Sequence, residues 1–175
     1  MESEEKLRNT AIAQPAIGAV SLAMIKILTR FGVTSDITCG HSFGELSALF
    51  AAKNLDEKSF LKLAAQRGKL MANASDNNSD AGSMLAIQAP LKEIESLIEN
   101  ENLDLVLANK NSYSQGVLSG KTKEIDRAKK CCRQKKLRSV KLPVAAAFHS
   151  KLVKNAAKPF KKELSSFNFT TSDID

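Results

Sequence analysis

The sequence has no tryptophan and few other aromatic residues, which make up 5% of its 175 positions. Core volume must therefore come mainly from leucine, isoleucine, valine and alanine. Hydrophobic residues are 43% of the chain and charged residues 26%, as in ordinary soluble globular proteins. A chain of this length can form one sizeable core or two small packed lobes, and not several domains.

Cysteine and long apolar runs are also scarce. The three cysteines, Cys39, Cys131 and Cys132, are odd in number and two are adjacent, which argues against a disulfide framework. This pattern favours a reducing, cytoplasmic setting. No Cys or His spacing is typical of zinc, so we expect no metal site. No run of 18 or more apolar residues occurs, and the acidic N-terminus is not typical of a signal peptide, so we expect no membrane partner.

Excess positive charge is confined to the second part of the chain. Residues 1–80 carry nine Lys and Arg against nine Asp and Glu, whereas residues 81–175 carry seventeen against ten. The stretch from Lys121 to Lys141 alone has ten basic residues and two acidic ones. It favours an acidic partner, with a solvated helix face as the alternative. Nucleic acid is disfavoured as the partner, because no aromatic residues interleave with the basic ones.

The first 82 residues show helical periodicity with one β-branched interruption. Four elements are predicted there. They are a helix over Ala11–Phe31, a buried strand over 33–40, a helix over Glu45–Ala52 and a helix over Asp56–Met71. Pro15 is expected in the first turn of the first helix, where proline is tolerated. Asp56 is expected to cap the last helix. The polar residues 73–82 predict a loop and a lobe boundary.

Residues 83–144 show a different rhythm of shorter elements. The pattern predicts strand, helix, strand, strand, helix and strand over Ser83–Ala89, Leu91–Glu99, Leu103–Ala108, Gln115–Ser119, Lys121–Lys136 and Leu137–Val144. This β-α-β-β-α-β order is typical of a ferredoxin-like subdomain. A further helix is predicted over Lys151–Ser165.

The most informative motif is Gly40-His41-Ser42-Phe43-Gly44, which fits G-x-S-x-G. It follows a predicted strand and precedes a predicted helix, which is the context of a nucleophile elbow. The two glycines are expected to allow the sharp turn and to leave room beside a strained serine. The elbow would expose the Ser42 hydroxyl and direct the N–H of Phe43 toward a developing oxyanion. A Gly-Ser turn without catalytic meaning is the alternative.

A serine hydroxyl needs a base to become a useful nucleophile, and the sequence has two histidines. His41 lies inside the elbow, and its side chain should point away from Ser42. His149 is therefore the candidate general base, with a packing histidine as the alternative. A serine hydrolase of the esterase kind would also need an acid, for which Asp104 or Asp126 could be proposed, although both fall within the predicted subdomain.

Four blocks together resemble the malonyl-CoA:acyl carrier protein transacylases and the acyltransferase domains of fatty acid and polyketide synthases. The blocks are Thr10-Ala11-Ile12-Ala13-Gln14-Pro15-Ala16, Gly40-His41-Ser42-Phe43-Gly44-Glu45, Gln66-Arg67-Gly68-Lys69-Leu70-Met71 and Ala147-Phe148-His149-Ser150. They stand in the family's order and at its spacing, and the resemblance runs from about Asn9 to Phe169. It is greatest to synthases of the polyunsaturated-fatty-acid or iterative polyketide kind.

The resemblance implies a role for each residue of the site. Ser42 would be the acylated nucleophile, His149 its base, and Arg67 the bidentate partner of the malonyl carboxylate. The other implied substrate-binding residues are Gln14, His41, Asn109 and Phe148. Phe148, next to the base, would limit the room for an α-branched acyl group. Without the resemblance, Arg67 would be interpreted as a surface arginine.

The family also implies a fold, substrates and partners. The fold is α/β, with a hydrolase-like parallel-sheet body interrupted by an inserted ferredoxin-like (βαββαβ) subdomain. Residues 1–82 would begin the large lobe, 83–144 would form the small lobe, and 145–175 would return to the large lobe. A coenzyme A thioester would be the substrate, with no permanently bound cofactor. The basic small lobe would dock an acidic acyl carrier protein bearing phosphopantetheine, and flanking synthase domains would be further partners.

The sequence departs from the family's pattern at its ends and at one position. The resemblance begins after the family's opening strand and G-Q-G loop, and it ends before the last strands and helices. We therefore expect a fragment with exposed strand edges and an open apolar face. Loss of one oxyanion donor would slow the isolated chain by ~10²–10³, and an inactive structural fragment is the alternative. Ala146 stands where malonyl-selective domains often have histidine, which weakens the assignment of the substrate.

Overall fold

The computed structural model describes residues 6–76 and 80–174. The chain divides into two compact units, one comprising Met1–Ala72 with Ala156–Asp175 and the other Asn73–Asn155. In chain order, the elements are α1 (Thr10–Arg30), α2 (Gly44–Ala51), α3 (Glu57–Asp76), β1 (Ser83–Gln88), α4 (Leu91–Asn100), β2 (Leu105–Ser112), β3 (Gln115–Gly120), α5 (Thr122–Gln134), β4 (Arg138–Lys141), a 3₁₀ helix (Lys151–Ala156) and α6 (Ala157–Leu164). The predicted division into lobes at residues 82 and 144 stays a prediction.

Helix α1 begins at an asparagine cap. The Asn9 side chain accepts a hydrogen bond of 2.9 Å from the N–H of Ala11, which satisfies a donor that the first turn leaves unpaired. Because the helix starts at Thr10, Pro15 lies in the second turn, and the prediction that placed it in the first turn is wrong. Proline there removes the hydrogen bond that another residue would donate to the carbonyl of Ala11. Gly32, with φ of 77°, follows the end of the helix.

One face of α1 is apolar and exposed. The exposed large side chains are Ile12, Ile17, Val20, Met24, Ile27 and Leu28, which confirms the expected open apolar face. An 18-residue window of α1 has a mean hydropathy of 1.7 and is 17% buried, so by length and composition alone α1 could cross a membrane. The expectation of no membrane span rested on uninterrupted apolar runs, which polar residues in α1 break. Core helices of soluble proteins and signal sequences meet the same criterion, so the indication is weak.

The buried strand predicted over residues 33–40 is not formed. A strand needs a hydrogen-bonded neighbour, and every strand in the described part of the chain lies in one sheet between Ser83 and Lys141. Without a neighbour, Val33 and Ile37 are 53% and 72% exposed. The segment therefore adds to the exposed apolar surface of the first unit.

Helices α2 and α3 follow as predicted, except at the end of α3. The carboxylate of Asp56 accepts hydrogen bonds from the N–H of Ser59 at 2.9 Å and from its hydroxyl at 2.6 Å, so Asp56 caps α3 as expected. Helix α3 continues to Asp76, so the loop predicted from residue 73 begins later than expected, because alanines in this stretch favour a helix. Residues 77–79 of that predicted loop lie outside the described residues.

The core of the first unit joins the two long helices, α1 and α3, to the short helix α2. Its buried members are Leu22, Leu46, Leu55, Phe60 and Leu63. They come from α1, α2, α3 and the connection between α2 and α3. Phe43, the neighbour of Ser42, packs against this core. The turn that carries Ser42 is therefore anchored to a close-packed interior.

The second unit has the predicted order of elements, β1-α4-β2-β3-α5-β4. Its sheet has the strand order β2-β3-β1-β4, and every pairing is antiparallel. The strands and the amphipathic helices bury one continuous core, which includes Leu85, Ile87, Ile94, Leu118 and Ile125. Strand β4 is shorter than predicted. It lies at an edge of the sheet and pairs only with β1.

Asp80 joins the entry of β1 to the start of α5. Its carboxylate accepts hydrogen bonds from the N–H of Gly82 at 2.9 Å and from the N–H and hydroxyl of Thr122 at 2.8 and 2.7 Å. These bonds favour the charged form, and the Thr122 hydroxyl in particular holds the pKa of Asp80 below its usual value. Lys121 at the cap position of α5 makes no side-chain cap bond, so Asp80 supplies the capping acceptor.

Replacing Asp80 with asparagine is expected to lower the free energy of unfolding of the second unit by about 1 kcal/mol at neutral pH, because the bonds from Gly82 and Thr122 lose a charged acceptor at the start of a helix. Because the folded-state pKa is depressed, the stabilisation is present above the unfolded-state pKa and is lost as the pH falls through the folded-state pKa. Urea unfolding of the chain and the variant at several pH values measures this difference. Asp104→Asn, which changes an exposed carboxylate of the same unit, is the matched control. A difference that stays undiminished at low pH would contradict this role.

Candidate active site

Ser42 lies at a turn in a left-handed backbone conformation, with φ of 57°. Such a φ is uncommon for a residue with a Cβ and persists only where the surroundings hold it. Two hydrogen bonds hold this turn, from the N–H of Gly44 to the carbonyl of His41 at 2.9 Å and from the N–H of Glu45 to the carbonyl of Ser42 at 3.2 Å. A serine on a strained turn before a helix is the local geometry of a nucleophile elbow.

The turn requires glycine at position 40 and not at position 44. A Cβ added to Gly40 would lie 2.1 Å from the backbone carbonyl of Gly44 and 2.4 Å from the nitrogen of Glu45. At Gly44 an added Cβ would meet no atom within 4 Å. The prediction that both glycines leave room for the turn therefore holds for Gly40 alone, since the chain folds back only onto the first of them.

Phe43 occupies the cap position of α2, and the helix itself starts at Gly44. The first N–H groups of a helix are unpaired within it and carry partial positive charge. Phe43 therefore stands between the serine and the positive end of α2, with its ring against the core. Its predicted role as an oxyanion donor stays a prediction.

Arg67, on α3, connects two of the predicted site residues. Its Nη1 donates to Oε1 of Gln14 at 2.7 Å, and its Nη2 donates to Oγ of Ser42 at 3.4 Å. The first bond has ideal length, whereas the second is long. Residues from α1, from the turn before α2 and from α3 thus converge, and the interpretation of Arg67 as a mere surface residue is wrong.

The Gln14 side chain is itself held on both sides of its amide. Its Nε2 donates to Oγ1 of Thr10 at 2.6 Å and to Sδ of Met71 at 3.3 Å, while its Oε1 receives Arg67. Thr10 and Gln14 are 5% and 6% exposed. A buried glutamine with its oxygen and nitrogen both engaged has a single preferred orientation.

Gly68 allows α3 to approach the start of α1 closely. A Cβ at this position would lie 2.5 Å from the carbonyl oxygen of Thr10 and 3.3 Å from Cβ of Gln14. The neighbouring Arg67 can reach Gln14 because the two helices meet at this glycine. From the sequence, Gly68 was identified only as part of a block, since helical spacing does not reveal which glycine faces another backbone.

Burial makes Arg67 a partly desolvated cation. Desolvation lowers the pKa of the Arg67 guanidinium from its ordinary value, and the negative charge of Glu45 partly opposes this shift. An arginine stays protonated at neutral pH in spite of such a shift. A charged group that has lost part of its hydration gains more from a bound anion than an exposed one does.

His149 lies in the second unit, on an exposed turn with φ of 59°. The segment that carries it is fixed to the sheet of that unit. The hydroxyl of Ser119, a fully buried residue of β3, donates to the carbonyl of Phe148 at 2.6 Å. The N–H of Ala147 donates to the carbonyl of Ala81 at 2.9 Å. Ser119 was not predicted as a site residue, because a serine within a strand pattern carries no signal of its partner.

The remaining predicted residues occupy varied environments. Asn109 is half-buried in β2, beside an irregularity in its pairing with β3. Phe148 is half-buried and His41 is exposed. Their predicted roles in substrate binding stay predictions. Of the two acids considered for a hydrolase, Asp126 pairs with Lys141 at 3.2 Å.

No group of three or more potential metal ligands occurs among the described residues. The first unit brings together a strained serine hydroxyl, a partly desolvated guanidinium and an amide held by hydrogen bonds at both ends. This set suits an acyl group that carries a second, anionic end.

Comparison with known proteins identifies relatives along the whole chain. Residues 1–175 match the family described as the acyl transferase domain. Malonyl CoA-acyl carrier protein transacylase of Bacillus subtilis is 34% identical, and the match covers 97% of this chain and 55% of the relative. A polyunsaturated fatty acid synthase polypeptide from a Thraustochytrium species is 31% identical over 96% of this chain and 6% of the relative. The chain thus spans about half the length, or less, of these curated relatives.

Solved structures give the same result. Malonyl CoA-acyl carrier protein transacylase from Burkholderia pseudomallei has a TM-score of 0.87 and 35% identity, with 99% of this chain and 59% of that chain covered. The acyltransferase domain of an iterative polyketide synthase of enediyne biosynthesis has a TM-score of 0.85 and 34% identity, with coverage of 94% and 43%. The family match over the full sequence and these similarities together show that the chain belongs to the acyl transferase domain family.

Proposed function

We propose that the chain is part of an acyltransferase that moves a malonyl group from coenzyme A, through an acyl-enzyme on Ser42, to the phosphopantetheine thiol of an acyl carrier protein. One observation carries the proposal. The hydroxyl of Ser42, on its strained turn, lies 3.4 Å from a guanidinium nitrogen of Arg67. A nucleophile beside a desolvated cation suits an acyl chain that ends in a carboxylate. The names of the transacylases from Bacillus subtilis and Burkholderia pseudomallei support the same substrate and carrier.

Transfer proceeds in two steps, acylation of Ser42 and transfer of the acyl group to the carrier thiol. Ser42 Oγ attacks the thioester carbonyl while the imidazole of His149 takes the hydroxyl proton. The tetrahedral intermediate, with its oxyanion at the N–H of Phe43, expels the coenzyme A thiolate, which takes the proton back from His149. The phosphopantetheine thiol then attacks the serine ester, gives its proton to His149 and leaves with the malonyl group, and Ser42 recovers its proton.

Arg67 binds the free carboxylate of malonate in this scheme. Gln14 holds one guanidinium nitrogen, which restricts the arginine before the substrate arrives. Phe148, next to the base, limits room for a branched acyl group, and His41 and Asn109 line the substrate site. No permanently bound cofactor is required, since coenzyme A and phosphopantetheine arrive as substrate and carrier.

The finer assignment of the fold is part of the proposal. The element and strand orders of the second unit support a ferredoxin-like subdomain, with residues 83–144 as the small lobe. Residues 1–82 and 145–175 contribute to a hydrolase-like body. The protein that contains them is cytoplasmic. The relatives give a serine hydrolase no support, and the body's parallel sheet is not formed among the described residues.

Incubation of the chain with malonyl-CoA is expected to add one malonyl group to the peptide that contains Ser42. Peptide mass spectrometry locates the adduct, and the Ser42→Ala variant should lose it. Ser47→Ala, in the helix α2 that follows the turn, is the matched control and should retain it. Release of the group to water faster than to a pantetheine thiol would favour a hydrolase, and an adduct on another residue would contradict the assignment of the nucleophile.

The carrier protein is proposed to dock on a basic groove of the second unit. The groove has a volume of about 870 Å³ and is lined by Asp126, Lys129, Lys130, Arg133, Lys136, Leu137, Arg138 and Ser139. It runs along the end of α5 and the start of β4. Five of its eight lining residues are basic and one is acidic, so it offers an acidic helix several cations at once.

Replacing Lys129, Lys130 and Lys136 together with glutamate is expected to slow transfer to the carrier protein at least tenfold at low salt, because electrostatic steering is reversed in sign. Hydrolysis of the loaded serine should be unchanged. The matched control makes the same charge change at Lys158, Lys161 and Lys162, which are exposed residues of α6. Association that does not depend on salt concentration, or an equal effect of both triple variants, would argue against docking at the groove.

A further inference from the structure

Two polar side chains are buried at the start of α1, where they support the guanidinium that faces Ser42. Thr10 and Gln14 are the buried polar residues of the first unit within the described residues. Gln14 touches Arg67 directly, whereas Thr10 touches Gln14. Thr10 therefore reaches Arg67, which the proposed function places at the malonyl carboxylate, through one intermediate residue, Gln14.

The hydrogen bonds around Gln14 have a direction. The hydroxyl of Thr10 accepts from Nε2 of Gln14 at 2.6 Å, so the nitrogen end of the amide points toward Thr10 and Met71. The oxygen end then faces Arg67, which donates to it at 2.7 Å. If the amide turned over, its N–H groups would face a guanidinium that has only donors, and its oxygen would face the Thr10 hydroxyl and a sulfur.

The position of Thr10 is set by the close meeting of α1 and α3. Its carbonyl oxygen would lie 2.5 Å from a Cβ at position 68, so this close approach of the two helices requires glycine there. Its place at the first turn, directly after the Asn9 cap, fixes the backbone from the other side. The Thr10 hydroxyl is therefore held within hydrogen-bonding distance of the Gln14 amide.

We propose that Thr10 is a positioning residue for substrate selection, which acts through Gln14 to keep Arg67 directed at the acyl site beside Ser42. This inference rests on the proposed function, because it concerns the carboxylate that Arg67 recognises. Thr10 itself touches neither substrate nor nucleophile. Its hydroxyl anchors the Nε2 end of the Gln14 amide, while the donor-only guanidinium requires the oxygen end, so Thr10 helps to hold Gln14 against Arg67.

The test compares loading of Ser42 from malonyl-CoA and acetyl-CoA by the full chain. Thr10→Val keeps the shape of the side chain and removes the acceptor. It is expected to reduce the malonyl-to-acetyl ratio by up to about tenfold, the upper end of the range for one neutral hydrogen bond. The change should appear in the half-saturating concentration of malonyl-CoA more than in the maximal rate, because ground-state recognition is affected. Thr10→Ser, which restores the hydroxyl, should recover most of the ratio.

A double-mutant cycle separates positioning from a general effect on folding. Gln14→Met removes the amide through which Thr10 acts, so Thr10→Val should have no further effect on the ratio in that background. Additive effects would overturn the inference, as would an unchanged ratio in Thr10→Val. Failure of the proposed function looks different. In that case Arg67→Ala itself leaves the malonyl-to-acetyl ratio unchanged, or the parent chain loads no acyl group on Ser42.

Discussion

Replacing His149 with asparagine is expected to slow acylation of Ser42 by about 10²–10⁴-fold, the usual contribution of a positioned general base. A serine hydroxyl is a poor nucleophile until a base takes its proton. Asparagine is the appropriate replacement because His149 has φ of 59°, a conformation that asparagine tolerates better than alanine does. The variant thus removes the imidazole with little added backbone strain. Loading from malonyl-CoA, followed by intact mass, gives the rate.

The control for this prediction is a double variant, because a nucleophile and its base act together in one step. Ser42→Ala should abolish the adduct, and the double variant with His149→Asn should be no worse than Ser42→Ala alone in any residual turnover, because the two residues act as one unit. Loading of the His149→Asn variant at the parental rate would remove His149 from the mechanism. It would also leave the chain without a candidate base, since His41 is predicted to point away from Ser42.

Local sequence patterns predicted the second unit well. Its two helices are amphipathic by themselves, and the strands of its sheet all lie within residues 83–141. The order β-α-β-β-α-β could therefore be predicted from periodicity, with errors confined to boundaries such as the short edge strand β4. Such boundaries depend on pairing with a neighbour, which the local pattern does not contain.

The first unit shows where local patterns fail. Residues 33–40 have the β-branched composition of a strand, yet a strand forms only beside a partner, and none is formed there. Pairing is a non-local property that propensity cannot supply. The elbow, in contrast, was predictable from five residues, because its requirements are local: Ser42 has a left-handed backbone conformation, and Gly40 leaves room for the backbone of Gly44.

The residues of the candidate site also differ in how well the sequence predicts them. Ser42, Arg67 and Gln14 were predicted by resemblance, and the structure brings these three together. Thr10 and Gly68 were not assigned a role, because their importance lies in the distance between α1 and α3 and in the direction of one amide. A single hydroxyl or glycine acquires such a role only from tertiary contacts, which the sequence does not display.

Replacing Arg67 with alanine is expected to lower the malonyl-to-acetyl loading ratio about 10- to 100-fold, the range of a charge-assisted hydrogen bond that is lost. The guanidinium is partly desolvated and lies within 3.4 Å of the Ser42 hydroxyl, so a malonyl carboxylate there gains more than it would at an exposed arginine. Acetyl loading, which presents no carboxylate, should fall much less. The two thioesters are best supplied together, so that the adduct ratio is independent of how active the preparation is.

Arg67→Lys distinguishes recognition by geometry from recognition by charge. Lysine keeps the positive charge but cannot donate to Gln14 and to a carboxylate in the same plane. If bidentate geometry selects malonate, the lysine variant should resemble alanine more than the parent in its malonyl-to-acetyl ratio. If charge alone suffices, lysine should restore most of the preference. An unchanged ratio in both variants would show that the carboxylate is recognised elsewhere, and the assignment of malonate would then lose its structural basis.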